Sequence, residues 1–319
     1  MTDIDLSVHS FSLWHHFAHA PGFDCIAFAD LAHARGFSGL ALSLNDAGYR
    51  HLGGREGWRM DRLAAHLARR HMSLEVDTSG TDPAHLRRLI EVAARMGATH
   101  LRTYTRHAGT PEVMAEATAR DLAAVMPEAE AAEVTLVLEN HEDFTGPELA
   151  AIVACVGHPR LRILYDYGNA QMVLEDPQAA LEAVLPWVAS VHIKDHVMVR
   201  PEHAGRLTVA GVPMGQGALP IHAITARLRD AGLRRFCFEN VWAYAAGIRP
   251  GRAAQPGVTP GQGAFRWADP PFDPAFLVLD QRRHTGAHLV ALERAALDRG
   301  LSFWRGVMAD LGMRVRALR

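Results

Sequence analysis

The chain has 319 residues, 49% hydrophobic and 21% charged, with a formal net charge of −2. That is enough apolar material for one large core, and the balanced charge offers no basic field to hold a polyanion, so nucleic acid is not an expected partner. Three cysteines (Cys25, Cys155, Cys237) lack paired spacing, no apolar run reaches membrane-spanning length, and MTDIDLSVHS lacks the apolar core of a leader, so a cytoplasmic protein without a membrane partner is expected.

Short apolar runs alternate with longer amphipathic ones along the whole chain. The runs predict strands at residues 5–11, 38–44, 72–78, 99–104, 134–139, 161–166, 188–194 and 234–239. Between them, patterns such as RMDRLAAHLARR and DPAHLRRLIEVAARM repeat apolar residues at helical spacing. Gly36, Gly97 and Gly232 stand where a left-handed cap ends a helix, and AEAAEVTLVLE reads the same way without the glycine. Eight strands alternating with helices predict an α/β fold, a (β/α)₈ TIM barrel, as a single domain over residues 1–319. The other candidate, an open doubly wound sheet, lacks a GxGxxG after its first strand.

Two stretches interrupt the rhythm. Residues 195–218 read as a long loop after strand seven, ending in VPMGQGALP. Residues 240–272 read as a Gly/Pro-rich insertion after strand eight that carries Trp242, Tyr244, Phe265 and Trp267. It is expected to be either a mobile insertion or a functional segment, a lid or an oligomer arm.

A barrel of this kind places its site at the carboxyl ends of the strands. Strand five ends LVLEN with Glu139, strand six ILYDYGN with Asp166, strand seven SVHIKD with His192, and strand eight FCFEN with Glu239. Alternation along each strand turns these side chains to one inner face. Three convergent carboxylates would repel one another and drift toward protonation, and a divalent cation removes that conflict. Three oxygens and an imidazole suit Mn²⁺ or Mg²⁺, with Zn²⁺ and Co²⁺ also open.

LVLEN, ILYDYGN, VHIKD and FCFEN, in this order, resemble the xylose-isomerase-like barrel superfamily, the sugar phosphate isomerase/epimerase and AP endonuclease family 2 type. It includes ketose 3-epimerases, inosose dehydratases, hydroxypyruvate isomerases and endonuclease IV. The resemblance implies that Glu139, Asp166, His192 and Glu239 bind the metal and that Glu139 and Glu239 double as acid and base. Asn169 stands where ketose 3-epimerases carry a histidine, and Gly215-Gln216-Gly217 where Gly-Glu-Gly is usual. ENHEDF and DYGN resemble branches that act on oxidised sugars, the 3-oxo acid decarboxylases and 3-keto-glycoside-cleaving enzymes.

Lys194 is expected either to stabilise a developing oxyanion or to pair with a neighbouring acid. His141 either orients Glu139 and carries a proton or contacts a loop. Arg102 either holds a substrate carboxylate or forms a structural ion pair, and Asn169 is a weaker candidate for substrate contact. The expected activity is a metal-dependent isomerase or epimerase acting on a small carbohydrate through an enediolate, with a lyase of the same superfamily as the alternative. A nuclease like endonuclease IV would need further histidines around strands three, four and six, where VDTSG and Asn169 stand instead.

Overall fold

The computed structural model describes residues 1–249 and 251–318; Pro250, inside the 240–272 segment, and Arg319, at the end of the expected 1–319 domain, lie outside the described residues. The strands are β1 (Thr2–His9), β2 (Gly39–Ser43), β3 (Ser73–Asp77), β4 (His100–Thr103), β5 (Thr135–Glu139), β6 (Leu161–Asp166), β7 (Val188–Ile193), β8 (His196–Val199), β9 (Thr208–Gly211), β10 (Arg235–Phe238), β11 (Ala245–Gly247) and β12 (Met313–Val315). β1 to β7 pair in parallel in chain order, β10 follows β7, and β10 returns to β1 with Asp5 opposite Arg235 and Val8 opposite Phe238. The circle is closed. This is the expected (β/α)₈ barrel, with all strands after β1 within one residue of their expected bounds. β1 starts three residues early and yields at Ser10 to a short 3₁₀ turn, Ser10–Leu13.

Strand alternation builds the two layers. Leu136, Leu138, Phe236 and Phe238 face outward and join the apolar core under the helices. Val137 and Cys237 are equally buried but lie outside that cluster, on the face that carries Glu139 and Glu239 into the barrel. At the opposite end, the Asp5 carboxylate staples four strands and the chain's last segment. It accepts from Ser38 Oγ at 2.6 Å and Ser73 Oγ at 2.7 Å, and meets Arg235 at 3.5 Å and Arg316 at 3.2 Å. β12 lies beside the start of β1, Thr2 opposite Met313.

The helix stops are the expected ones. Gly36, Gly97 and Gly232 have φ of 83°, 72° and 92°, and the residue after each donates its N–H back to the last turn, as Phe37 does to Ala32 at 3.1 Å. His71 and Glu133 hold the same position without glycine, at φ 53° and 56°. Met72 and Val134 close the same ring of bonds there. Among the described residues, no helix is long and apolar enough to cross a membrane.

The first interrupting stretch holds secondary structure, which corrects its reading as a plain loop. Residues 195–218 hold an antiparallel hairpin of β8 and β9, and β11 from the second stretch adds to its edge. Val197, Val199, Ala210, Val212, Ala268 and Leu277 form one small core beneath this sheet. Met172, Met198, Val209 and Phe265 form another. Arg249 reaches Glu142 and Asp143 at 3.3 and 3.1 Å, and Arg252 reaches Glu148 at 2.9 Å, so the segment is fastened over the loop that follows β5. Tyr244 OH adds a hydrogen bond to Glu142.

Candidate metal and substrate site at the barrel mouth

β5, β6 and β7 carry Glu139, Asp166 and His192 at their carboxyl ends, and Glu239 directly follows β10. All four are buried. Glu139, Asp166 and His192 offer ligand atoms that all lie within 4.8 Å of one another. Glu239 Oε2 is 3.7 Å from His192 Nδ1, the same nitrogen that lies 3.3 Å from Glu139 and 3.9 Å from Asp166. Both Glu139 oxygens, Asp166 Oδ2, Glu239 Oε2 and His192 Nδ1 are buried without a well-formed hydrogen bond. Their close charged neighbours are Lys194, at 2.6 Å from Asp166 and Glu239, and Arg102 and His141, at 3.3 and 3.2 Å from Glu139. Three buried carboxylates that share so few cations are costly to keep charged. Ligand atoms on opposite sides of an ion bound at ~2.1 Å are ~4.2 Å apart, so this donor set fits a divalent cation with little contraction.

The charge balance agrees. Burial alone would raise Glu139, but Arg102 and His141 hold its carboxyl well below the usual range. Burial also opposes the Glu239 carboxylate, and Lys194 and His192 pull it well below the usual range. Asp166 goes the other way: burial and the Glu139 and Glu239 charges outweigh Lys194 and raise it. The protein leaves one carboxylate of three short of positive charge. Lys194 Nζ lies 2.6 Å from both Asp166 and Glu239, bridging them. Burial disfavours that ammonium, but the two acids keep its pKa above the ordinary lysine value.

The other sequence candidates also gather here. His141 Nδ1 is 3.2 Å from Glu139, and its ring stacks on Tyr104 with centroids 3.7 Å apart. Arg102 Nε is 3.3 Å from Glu139, and its Nη1 donates to Thr78 O at 3.0 Å. Asn169 N donates to Asp166 Oδ1 at 3.0 Å, leaving its buried side-chain Nδ2 without a partner. His141, Arg102, Asn169, Lys194 and Glu239 line one cavity of about 350 Å³. Asp195 turns away from it and accepts N–H bonds from His196, Gly215, Gly217 and Leu219 at 2.8–3.2 Å. A Cβ on Gly217 would lie 2.0 Å from that carboxylate. SVHIKDH therefore ends its strand in charge because His192 and Lys194 face the site and Asp195 moors the glycine loop.

Sequence reasoning missed a second layer. Glu75 and Asp77 on β3 form another group with His192, whose Nε2 lies 3.9 and 3.6 Å from them. His9, at the end of β1, joins Asp77 at 2.7 Å and Glu239 at 3.2 Å. Burial disfavours the charged imidazole, but Asp77 and Glu239 raise it to about 9. Burial raises Asp77, and Arg102 and His9 more than reverse this. Glu75 is raised by burial and by Asp77, while Ser190 Oγ donates to it at 3.0 Å. Asp77 is paired with His9 and Glu75 with Ser190, although both Asp77 oxygens and Glu75 Oε1 lack a well-formed hydrogen bond; like Glu139 and Asp166, neither acid lines the cavity. Glu75 and Asp77 lie beyond hydrogen-bond distance of the far nitrogen of His192, on the side from which carboxylate charge favours an imidazole turned toward the site. A signal was present in the sequence: SVH ends β1 as it ends β7, and the two rings stand 5.1 Å apart.

Residues 17–257 match the family profile described as xylose isomerase-like TIM barrel. Over 199 residues the chain is 27% identical to YihM of Escherichia coli (strain K12), described as uncharacterized; the match spans 62% of this chain and 60% of that protein, under two thirds of its length. D-Psicose 3-epimerase from Clostridium cellulolyticum H10, solved with D-tagatose, aligns with a TM-score of 0.65 at 12% identity, over 96% of this chain and 99% of that one. The IOLI protein, solved with a binding zinc atom, aligns at 0.63 and 12% identity, over 94% and 99%. At such identities the two structures share the fold, and the fold alone.

Proposed function

This chain belongs to the xylose isomerase-like TIM barrel family, and we propose that it is a divalent-metal-dependent isomerase or epimerase acting on a keto-sugar or sugar-derived keto acid through an enediolate. The observation that carries this reading is the buried convergence of Glu139, Asp166 and His192, with Glu239 beside them, so that three carboxylates share one ammonium and part of a guanidinium. These four would hold the ion, Mn²⁺ in the first instance, with Mg²⁺, Co²⁺ or Zn²⁺ also suited to the donor set. When bound, such an ion polarises a carbonyl and acidifies the neighbouring C–H.

The chain's own groups do the rest. Glu139 removes a proton from the carbon beside the carbonyl, and return by Glu139 or by Glu239, from a different strand, separates isomerisation from epimerisation. Lys194 Nζ donates to the oxygen that gains charge. Arg102 and the free Nδ2 of Asn169 hold substrate oxygens, and segment 240–272 closes over them as a lid or joins a homo-oligomer. The substrate is a small carbohydrate met in the cytoplasm, with neither membrane nor nucleic acid taking part. A lyase reaction (elimination, decarboxylation or 3-keto-glycoside cleavage) is the second reading. It is favoured by His141, a proton carrier beside Glu139 that exchange between two carboxylates does not require.

Proton exchange tests the reading. With Mn²⁺ added, keto-sugars and keto acids are incubated in deuterated water and followed by NMR. The product should carry deuterium next to the carbonyl, and Glu139→Gln should lose the exchange even at saturating metal. Full exchange in the metal-loaded variant would remove Glu139 from the role. Loss of a hydroxyl, glycosidic oxygen or CO₂ from an exchanged substrate would select the lyase.

A further inference from the structure

Besides the charged imidazole of His9, four Lys or Arg side chains line the cavity: Arg50, Arg102, Arg106 and Lys194. Two are committed internally, Arg102 to Glu139 and Lys194 to Asp166 and Glu239. Arg50 and Arg106 are exposed, and neither forms an ion pair with an acid among the described residues. Each lies instead against an aromatic ring. The Arg50 guanidinium carbon is 4.2 Å from the Trp14 ring centroid. That of Arg106 is 4.6 Å from the Tyr104 centroid, and its Nη2 donates to Tyr104 OH at 2.6 Å. Such stacking fixes a guanidinium plane and leaves donors of its fork free.

The local backbone supports this placement. Asp46, the acid nearest Arg50 in sequence, spends its carboxylate on the turn, accepting from Gly48 N at 2.9 Å and Arg50 N at 3.0 Å. Tyr49, buried and left-handed at φ 49°, anchors the same turn. Tyr104 is buried and braced by His141.

We propose that Arg50 and Arg106 form a subsite for a carboxylate on the substrate, so that the enzyme takes an acidic keto-sugar with its carbonyl end at Glu139 and its acid end at the two arginines. The assignment rests on the cavity being the substrate site of the proposed isomerase. Two planar forks match a carboxylate in bidentate fashion. A phosphate is disfavoured because no glycine lines the cavity. The Gly215–Gly217 loop, a candidate phosphate cradle, already gives its N–H groups to Asp195.

The test is calorimetric titration of the full chain, Mn²⁺ added, with 5-keto-D-gluconate, D-fructose and D-fructose 6-phosphate, alongside metal analysis. The keto acid should bind about tenfold or more tightly than fructose, the scale of a charge-assisted pair. The Arg50→Met/Arg106→Met double variant should bind the two alike while keeping its metal, and high salt should narrow the wild-type difference. Equal affinities in the metal-loaded wild type, or a preference untouched by the double substitution, would overturn the subsite and leave the isomerase reading intact. Tighter binding of the phosphate ester would overturn the carboxylate assignment. An arginine-dependent acid preference in a protein that takes up no metal would uphold the subsite and sink the isomerase reading.

Discussion

β3 and the β5–β10 half of the barrel both bury carboxylates around the single ring of His192. Each set holds one acid raised toward protonation, Glu75 and Asp166, yet the cations that answer the two sets differ. Glu75 and Asp77 are answered by His9, Arg102 and Arg235, at 2.7–3.9 Å. Glu139, Asp166 and Glu239 share Lys194 and a part of Arg102, and Asp166 is pushed toward protonation. The difference shows that buried acids alone do not mark a metal site. What marks it is three acids that share one ammonium and part of a guanidinium, with Glu239 and Lys194 reaching the cavity wall.

The sharpest way to break this comparison is Glu239→Gln. If the second half carries the chemistry, turnover should fall by about a thousandfold or more and metal content should drop, alongside a stability loss of about 3 kcal/mol because Lys194 and His9 lose a buried partner. An active, metal-replete variant would erase the distinction. Asp77→Asn probes the other half. Removing one partner of a buried, paired charge should cost about 3 kcal/mol in urea unfolding, with metal affinity falling less than in Glu239→Gln. A larger loss of metal than of stability would make Glu75 and Asp77 ligands after all.

Acid titration gives a smaller effect. His51, on the first half's rim, is held near pKa 3 by burial and then by the charges of His9 and Arg50, far below the 6.5 of an ordinary histidine. The fold holds the neutral ring, so this stability is complete above pH 6.5 and is lost as pH falls toward 3. Between pH 6.5 and 5 the loss is up to about 2 kcal/mol. His51→Leu should flatten that part of the stability–pH curve, and an unchanged slope would place the acid sensitivity elsewhere. Smallest of all, Arg252→Ala should loosen the cap from Glu148 and raise KM by about threefold with kcat nearly constant. An unchanged KM together with an unchanged oligomeric state would mark the fastening as structural only.

The legible part of this protein was the part written in strand ends. Glu139, Asp166, His192 and Glu239 each close an apolar run, so their order and inward direction followed from alternation. Glu75 and Asp77 escaped because SLEVD, with acids at every second place, reads as a half-solvated strand; only closure of the barrel turns that face inward. Arg50 and Arg106 sit on loops, where spacing carries no direction. HVMV and TVAG are too short and too far apart, with Gly and Pro following, to announce a hairpin, since their pairing is decided by the apolar residues each covers.

The Asp5 staple has a consequence for how the chain reaches this state. Ser38 lies 33 residues from Asp5, but Arg235 lies 230 away and Arg316 lies 311 away. Bringing the second pair together carries about 1.7 kcal/mol more chain-closure entropy than the first. One edge of β1 can be filled almost as soon as β2 is made. The other must wait for β10, which at ordinary ribosomal speed takes roughly 12–46 s. Through that interval the edge of β1 that β10 will cover stays open, and on contact separation alone barrel closure is expected to be the slow, aggregation-exposed step of folding.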